Sequence, residues 1–327
     1  MWRIDAPAEP MRSIFATIQK AVHSVAVGKR ILEETYQGKD FWLPLHGVGQ
    51  GNGAGPAIWV MVSAVLIDIL KSQGYGMTLM SVLSEQVKSL VGFTFVNDTD
   101  NFQNAPCPWS NAQTVISKTC QGLLTWNGTL EATGGCLEIE KSFWYLLDYS
   151  FRDDVWHYKS KQELEGELII TTSSSNKATI SRLDPNKARE TLGVHISMDG
   201  SWDNQVSKLM KKTSETCQGF AQTHALPSKA WSIFKITISK TWDYPKEVMD
   251  LSRNEWEKIA RLTLPTVLQK TQIAKTFPWI LIYALGKYQG LGLKHLWVDQ
   301  QLTHVYTLIT ECQNHTCTGF LLRLAVE

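Results

Sequence analysis

Hydrophobic and polar positions follow two periods along this chain, and the period of each segment predicts its secondary structure. Residues 91–96 combine β-branched and aromatic side chains around one glycine, which is typical of a buried strand. Asn97 and Asp98 follow as turn residues, because short Asx side chains bond their own backbone. Residues 99–102 then predict a returning strand. We therefore expect a β-hairpin that carries carboxylates at its tip.

Apolar residues at intervals of three and four predict helices around this hairpin. One is expected over residues 11–25, ended by Gly28 and followed by a short strand pair over residues 36–45. Residues 56–72 are apolar nearly all round, which predicts a buried helix. Their apolar run is shorter than the ~20 residues of a membrane-spanning helix. An amphipathic helix is expected over residues 113–126.

The second half of the chain mixes short strands with longer helices, so the predicted fold class is α+β. Strands are expected over residues 156–158, 168–172, 178–180 and 191–196. Helices are expected over residues 205–225, 228–242, 246–264 and 297–310.

Composition restricts the class of protein. A chain of 327 residues with 43% hydrophobic and 19% charged residues is typical of a folded globular protein. The net charge is only +1, but residues 201–300 contain fourteen Lys and Arg against eight Asp and Glu. This local surplus is compatible with a phosphate-backbone partner and also with solvated helix faces. The candidate cations are Lys208, Lys211, Lys212, Lys235 and Lys240.

The cysteine pattern bears on compartment and on metals. Six cysteines are scattered without a paired framework, which predicts reduced thiols in an intracellular protein of the cytoplasm or nucleus. Cys312, His315 and Cys317 have metal-ligand spacing, but no fourth ligand lies near them in the sequence. Zinc sites normally need four ligands, so no zinc site is expected. Neither a secretory signal nor a membrane partner is expected.

A glycine-rich loop precedes the helix predicted over residues 56–72. Residues 46–55 read His-Gly-Val-Gly-Gln-Gly-Asn-Gly-Ala-Gly, and such glycines let a backbone approach a ligand closely. Pro56 then suits the first turn of a helix. By itself the loop is equally consistent with a simple turn before a core helix, because it is neither a Walker nor a dinucleotide pattern.

Taken together, the loop and the hairpin resemble the reverse transcriptase palm of non-LTR retrotransposons. The loop matches Gly-Gln-Gly-Asn-Gly-Ala-Gly-Pro, and the hairpin matches Phe-Val-Asp-Asp-Thr-Asp except that Asn97 replaces the first aspartate. The resemblance implies a partial fingers and palm region over residues 1–200 and a helical, thumb-like or connection-like region over residues 201–327. It also implies RNA-directed DNA synthesis with two Mg²⁺ ions, an RNA template and a DNA primer.

The resemblance further implies which residues meet the nucleotide. Contacts with the nucleotide or template are assigned to Gln50, Gly51, Asn52, Gly53 and Phe95. The segment from Gly134-Gly135 to Lys141-Ser142 also resembles a family motif, whose lysine lies near the nucleotide phosphates. Lys141 would there stabilise the pyrophosphate leaving group. The alternative for Lys141 is an ordinary lysine at the edge of a strand.

The metal-binding residues show where this chain departs from the family. The resemblance implies that Asp98 is the catalytic and metal-binding carboxylate, and that Asp100, which shares its strand face, would be at most a weak substitute ligand. Asn97 brings a neutral amide where the family has a carboxylate, and Mg²⁺ in proteins is usually held by carboxylates. A further family acid lies on a strand upstream of the segment that residues 1–4 resemble, and it is expected to be missing.

These residues lead to two functional expectations of different class. The first is a reverse transcriptase-like polymerase, which is expected to be inactive as it stands and to need a missing N-terminal part for activity. The second is a non-catalytic nucleic-acid-binding remnant of a mobile element. The oligomeric state is not predicted.

Overall fold

The structure is a computed structural model that describes residues 9, 12–13, 16, 23–27, 30–36, 55–95, 98–105, 107, 110–171 and 177–327. The chain forms two compact units. Unit 1 comprises residues 1–144 with 161–182, and unit 2 comprises residues 145–160 with 183–327. Both units combine helices with small sheets, so a mixed α and β fold is confirmed. The division into palm-like and thumb-like parts near residue 200 stays a prediction.

The strands are short, and they pair within small sheets of two or three strands. In chain order they are β1 (His23–Val27), β2 (Arg30–Tyr36), β3 (Met77–Met80), β4 (Val87–Leu90), β5 (Gly92–Phe95), β6 (Asp98–Asn101), β7 (Phe143–Tyr145), β8 (Tyr149–Arg152), β9 (Val155–Tyr158), β10 (Leu168–Thr171), β11 (Lys177–Leu183), β12 (Arg189–Thr191) and β13 (Val194–Ile196). Consecutive strands pair as β1–β2, β3–β4, β5–β6, β8–β9 and β12–β13, and the three-stranded sheet has the order β10–β11–β7.

The helices account for most of unit 2. They are α1 (Gly55–Ser72), α2 (Ala112–Ala132), α3 (Asp203–Gln222), α4 (Pro227–Ile233), α5 (Lys240–Lys246), α6 (Arg253–Lys270), α7 (Trp279–Tyr283), α8 (Leu296–Cys312) and α9 (Cys317–Val326). A π-helical stretch, Phe234–Ile238, separates α4 from α5, and a 3₁₀ turn, Gly286–Tyr288, follows α7. The predictions that correspond to α1, α2, α3, α8, β9, β10 and β11 are confirmed, with ends shifted by a few residues.

Unit 1 is held together by the packing of α1 against α2. Asn111 caps the N-terminus of α2. Its side-chain oxygen accepts a hydrogen bond from the Thr114 N–H at 2.9 Å, which satisfies one of the backbone donors in the first turn of the helix. Strand β10 alternates buried and exposed residues, as expected for a strand with one face on a core. The buried cluster between the helices contains Leu66, Leu70, Val91, Trp126 and Leu130.

Unit 2 has the larger core, which is built mainly from helices. Ser252 starts α6 with a capping box, in which its hydroxyl accepts from the Glu255 N–H and the Glu255 carboxylate accepts from the Ser252 N–H. The apolar face of α6 then packs against α3 and α4. The buried cluster contains Leu209, Phe220, Ala230, Phe234, Ile238, Trp242, Met249, Leu251, Trp256, Ile259 and Val267.

The prediction of a helix over residues 11–25 is wrong for the C-terminal end of that range. Residues His23–Val27 form strand β1, which pairs antiparallel with β2 from His23 opposite Tyr36 to Val27 opposite Arg30. Val25 lies at a helical interval from Val22 and at a strand interval from Val27, and β-branched residues favour the strand. Gly28 and residues 37–45 of the predicted strand pair lie outside the described residues.

The single strand predicted over residues 191–196 is a hairpin. Strands β12 and β13 pair with Thr191 opposite Val194. The two residues between them, Leu192 at φ 49° and Gly193 at φ 83°, have the left-handed conformations that a two-residue hairpin turn requires. The apolar run conceals this turn because leucine rarely adopts such a conformation.

The two helices predicted over residues 228–242 and 246–264 are also interrupted. The first changes to π-helical hydrogen bonding over Phe234–Ile238. The second begins only at Arg253, because the capping box of Ser252 and Glu255 starts a new helix there. The hydrogen bonds of capping side chains compete with continuation of the preceding helix. Apolar periodicity does not reveal this competition.

Helix α1 is less buried than predicted. Four of its residues are buried, namely Ile58, Ser63, Leu66 and Leu70, whereas Val60 is 64% exposed. Among the described residues, α1 is the one helix long and apolar enough to cross a membrane, with a mean hydropathy of 1.5. Core helices of soluble proteins meet the same criterion of length and composition, so the prediction that no membrane is involved stays a prediction.

Candidate active site

The hairpin predicted over residues 91–102 is present. Strand β5 pairs antiparallel with β6, so that Phe93 lies opposite Asp100 and Phe95 lies opposite Asp98. The predicted degenerate position, Asn97, lies outside the described residues together with Val96. Asp98 opens the returning strand, with two residues between it and the end of β5 at Phe95.

One face of this hairpin carries all of its acidic and aromatic side chains. Alternate residues of a strand share a face, and directly paired residues lie on the same side of the sheet. Phe93, Phe95, Asp98 and Asp100 therefore lie on one face, and all four are exposed. The Phe93 ring packs edge-on against Phe102 with 5.6 Å between the ring centroids. This face offers two carboxylates next to aromatic surface.

The opposite face of the hairpin contacts helix α1. Thr94 and Thr99 pair on that face and are partly buried. The Thr94 hydroxyl donates to Ser63 Oγ of α1 at 3.4 Å. The hairpin is thus held by its threonine face, which leaves the carboxylate face open to solvent.

Gly92 is required by the close pairing of the two strands. A Cβ atom at this position would collide with the carbonyl oxygen of Asp100 and would lie 2.8 Å from Asn101 Oδ1. A backbone carbonyl in a ladder cannot move away without breaking its pairing, so a larger residue would displace β6. Gly92 therefore fixes the position of the strand that carries Asp98 and Asp100.

The two carboxylates influence each other. Partial burial raises the pKa of the Asp100 carboxyl above its ordinary value, and the negative charge of Asp98 raises that pKa further. Asp100 has an exposed side chain, but neighbouring atoms still remove part of its hydration. The shift means that Asp100 releases its proton at a somewhat higher pH than an ordinary aspartate does.

This donor set does not fit a two-metal site. Two-metal catalysis holds a pair of divalent ions about 3.5–4 Å apart, with carboxylates as the usual ligands. The hairpin supplies Asp98, the less readily ionised Asp100, and at position 97 a residue with a neutral amide. In the part of the chain that the structure describes, no group of three or more His, Cys, Asp and Glu side chains comes together to hold a metal ion.

Of the other residues predicted to contact the nucleotide, Lys141 is among the described residues. Gln50, Gly51, Asn52 and Gly53 lie outside the described residues, although the helix that follows them is α1 as expected. Lys141 lies in an exposed turn before β7 and is not at the edge of a strand. Its backbone N–H donates to the Glu138 carbonyl at 3.3 Å. Its proposed contact with phosphates stays a prediction.

The lysines predicted to bind a phosphate backbone fall into two groups. Lys208 is engaged by the Glu190 carboxylate at 2.7 Å and by the Gly193 carbonyl at 3.0 Å. Lys240 is paired with Asp243, and Lys235 lies over the Trp231 ring, 5.3 Å from its centroid. The remaining two, Lys211 and Lys212, are exposed on α3.

The sequence reasoning missed a charged cluster in unit 2. The buried Lys246 ammonium pairs with the carboxylates of Asp243, at 3.3 Å, and of Asp299. Each of these carboxylates has a second ammonium partner, from Lys240 at 2.9 Å and Lys294 at 3.1 Å respectively. The spacing of Lys240, Asp243 and Lys246 was the available signal, since residues three apart are neighbours on a helix. Asp299 comes from a distant helix, so the complete cluster was not predictable.

No family model, curated protein or solved structure matches this chain. Its functional interpretation therefore depends on the chemistry of its own residues and on the motif resemblance described above.

Proposed function

We propose that this chain is a reverse transcriptase-like protein whose palm hairpin does not support nucleotide addition. The observation that carries the proposal is the β5–β6 hairpin, which pairs Phe95 with Asp98 in the segment that resembles the family's aromatic-x-Asp-Asp hairpin. The substitution at Asn97 lies inside this motif. The protein would thus keep the hairpin of the family but carry an incomplete set of metal-binding carboxylates.

The physical reason for inactivity is charge. Nucleotide addition is an in-line displacement at phosphorus, and two metal ions neutralise the attacking and leaving oxygens. An Asn carbonyl can touch a cation but contributes no negative charge. The hairpin keeps Asp98 and Asp100 as its carboxylates, and partial burial and the charge of Asp98 raise the pKa of Asp100.

Primer extension tests this proposal. Purified chain is expected to extend a DNA primer on an RNA template no faster than the Asp98→Ala variant, with either Mg²⁺ or Mn²⁺ present. Asn97→Asp is expected to remain inactive as well, because in the described residues no acidic side chain from another segment joins the carboxylates of the hairpin. Extension by the unmodified chain that disappears in Asp98→Ala would refute the proposed inactivity.

The second candidate function is nucleic-acid binding without catalysis. It is favoured by the exposed Lys211 and Lys212 on α3 and by an exposed aromatic pair on the β8–β9 hairpin. In that pair Phe151 and Trp156 lie opposite each other with 5.0 Å between ring centroids. Exposed aromatic rings and lysines are the usual means of binding single strands without sequence preference.

Salt-dependent binding tests this second candidate. The double variant Lys211→Gln/Lys212→Gln is expected to weaken binding of a labelled single strand and to flatten the dependence of affinity on salt, because each phosphate contact releases counterions. Lys208→Gln is the matched control on the same helix, since Lys208 is already held by Glu190. Equal losses in both variants, or none in either, would count against α3 as the binding surface.

A further inference from the structure

Unit 2 contains a cavity that has no part in the proposed hairpin chemistry. Its volume is about 300 Å³. The residues that line it come from the π-helical stretch, from α5, from α6 and from the segment 283–299. Its apolar walls are formed chiefly by Phe234, Trp242, Leu264, Tyr283 and Leu293. Phe234 and Trp242 also belong to the main core of the unit, so these walls are fixed by packing. A volume at the lower end of the range for ligand sites suits a small molecule.

The charged side chains of the cavity lining are Lys235, which lies over the Trp231 ring, and a set of alternating lysines and aspartates. The alternating set in the lining consists of Lys240, Asp243, Lys294 and Asp299. The buried Lys246 pairs with both of these carboxylates. Asp243 and Asp299 each have two ammonium partners. Their negative charge is therefore already neutralised within the protein.

Lys240 and Lys294, the rim lysines, are more exposed than the carboxylates with which they pair. The Lys240 and Lys294 side chains are 68% and 73% exposed, whereas that of Asp299 is 16% exposed. Each rim ammonium has three N–H donors and uses one in its ion pair, so donors remain to meet a second acceptor. A bound cation would meet carboxylates that are already paired, whereas a bound anion would meet ammonium groups with donors to spare.

We propose that this cavity binds a small organic anion with an aromatic or otherwise flat apolar body. The apolar body packs between Trp242, Leu264 and Tyr283, and the acidic group lies at the rim between Lys240 and Lys294. The aromatic walls contribute through apolar burial and ring packing, and the lysines select the sign of the charge. Neither contribution depends on the reverse transcriptase resemblance.

The test uses the complete chain and the fluorescent probe 8-anilinonaphthalene-1-sulfonate, which is an aromatic anion. Removal of both rim charges in Lys240→Gln/Lys294→Gln is expected to raise the Kd for this probe by roughly tenfold or more, since the sulfonate loses its charge-assisted hydrogen bonds. The uncharged analogue N-phenyl-1-naphthylamine is expected to bind the variant and the unmodified chain with Kd values within about twofold of each other.

Two further variants make the result decisive. Lys258→Gln removes an exposed lysine from α6 away from the cavity lining and should leave both Kd values unchanged. Ala260→Leu extends a side chain into the cavity from its wall and should abolish binding of both probes. Circular dichroism and the thermal midpoint report whether each variant is folded. The proposal is overturned if the rim variant binds the anion as tightly as the unmodified chain does, or if a folded Ala260→Leu variant still binds it.

Discussion

Gln300→Leu is expected to lower the free energy of unfolding by about 4 kcal/mol, because it leaves several buried polar groups without partners. Gln300 lies on α8 and is completely buried. Its side-chain oxygen accepts hydrogen bonds from the Leu251 N–H at 3.2 Å and from Trp256 Nε1 at 2.8 Å. Its side-chain nitrogen donates to the Leu251 carbonyl and to Asp250 Oδ1, both at 3.1 Å. Leucine has a similar volume but replaces none of these bonds.

The magnitude follows from the groups that lose their partner. Each buried donor or acceptor left unsatisfied costs about 1–3 kcal/mol, and three such groups belong to Leu251 and Trp256. Denaturant unfolding of the complete chain, followed by tryptophan fluorescence, measures the change. Gln301→Leu is the control on the same helix and is expected to change stability by less than about 0.5 kcal/mol. If both variants lose the same stability, the hydrogen bonds of Gln300 do not stabilise unit 2 as argued.

Lys246→Met is expected to lower the free energy of unfolding by about 3 kcal/mol. Removing one partner of a buried ion pair typically costs about 3–5 kcal/mol, because the remaining charge stays buried without compensation. The Lys246 side chain is only 7% exposed, and it connects Asp243 with Asp299. The lower end of the range applies because each carboxylate keeps a second lysine, Lys240 or Lys294. Lys240→Met is the exposed control, with an expected loss of about 0–1 kcal/mol.

The pH dependence of the Lys246→Met effect has a definite sign. Burial alone would lower the pKa of the Lys246 ammonium, but the carboxylates of Asp299 and Asp243 outweigh it and raise this pKa above the ordinary 10.5. Burial likewise favours a higher pKa for Asp243, yet its hydrogen bond from Lys240 and the charge of Lys246 bring the net pKa below the ordinary 3.8. The folded state therefore releases the lysine proton at higher pH, and binds the Asp243 proton at lower pH, than the unfolded state does.

By linkage, the stability due to Lys246 is fully present below pH 10.5 and is lost as the pH rises through the raised pKa. The contribution from Asp243 is present above pH 3.8 and is lost as the pH falls through the lowered pKa. The difference in stability between the unmodified chain and Lys246→Met should thus be constant between about pH 5 and 9 and shrink outside that window. A difference that grows above pH 10.5 would show that the ion pairs are not its source.

Some elements of this fold follow from local sequence alone. The β5–β6 hairpin was predictable because its apolar strand, its Asx turn residues and its returning strand occupy twelve consecutive residues, 91–102. The helices α1 and α2 were predictable for the same reason, since a long apolar run marks the first and an amphipathic pattern over residues 113–126 marks most of the second. The face on which Asp98 and Asp100 lie also follows from the alternation of side chains along a strand.

Other features were decided only by tertiary structure. The valines of β1 fit a helix or a strand, and pairing with β2 determined the outcome. The turn at Leu192 required a conformation that leucine seldom adopts, and the cap at Ser252 interrupted an apolar pattern that favoured one continuous helix. In each case the local preferences were nearly balanced or opposed, so contacts with other segments determined the structure.

The sequence by itself determined the hairpin, the carboxylates of Asp98 and Asp100 on it, and the neutral amide of Asn97 beside them. Tertiary structure alone decided how charged residues from different segments combine. Lys246 is 53 residues from Asp299, and Gln300 is 44 residues from Trp256 and 49 from Leu251. Periodicity describes which side of an element is apolar, but it carries no information about which distant element will cover that side. The buried ion cluster, the Gln300 hydrogen bonds and the cavity beside them therefore appear only when the helices of unit 2 are packed together.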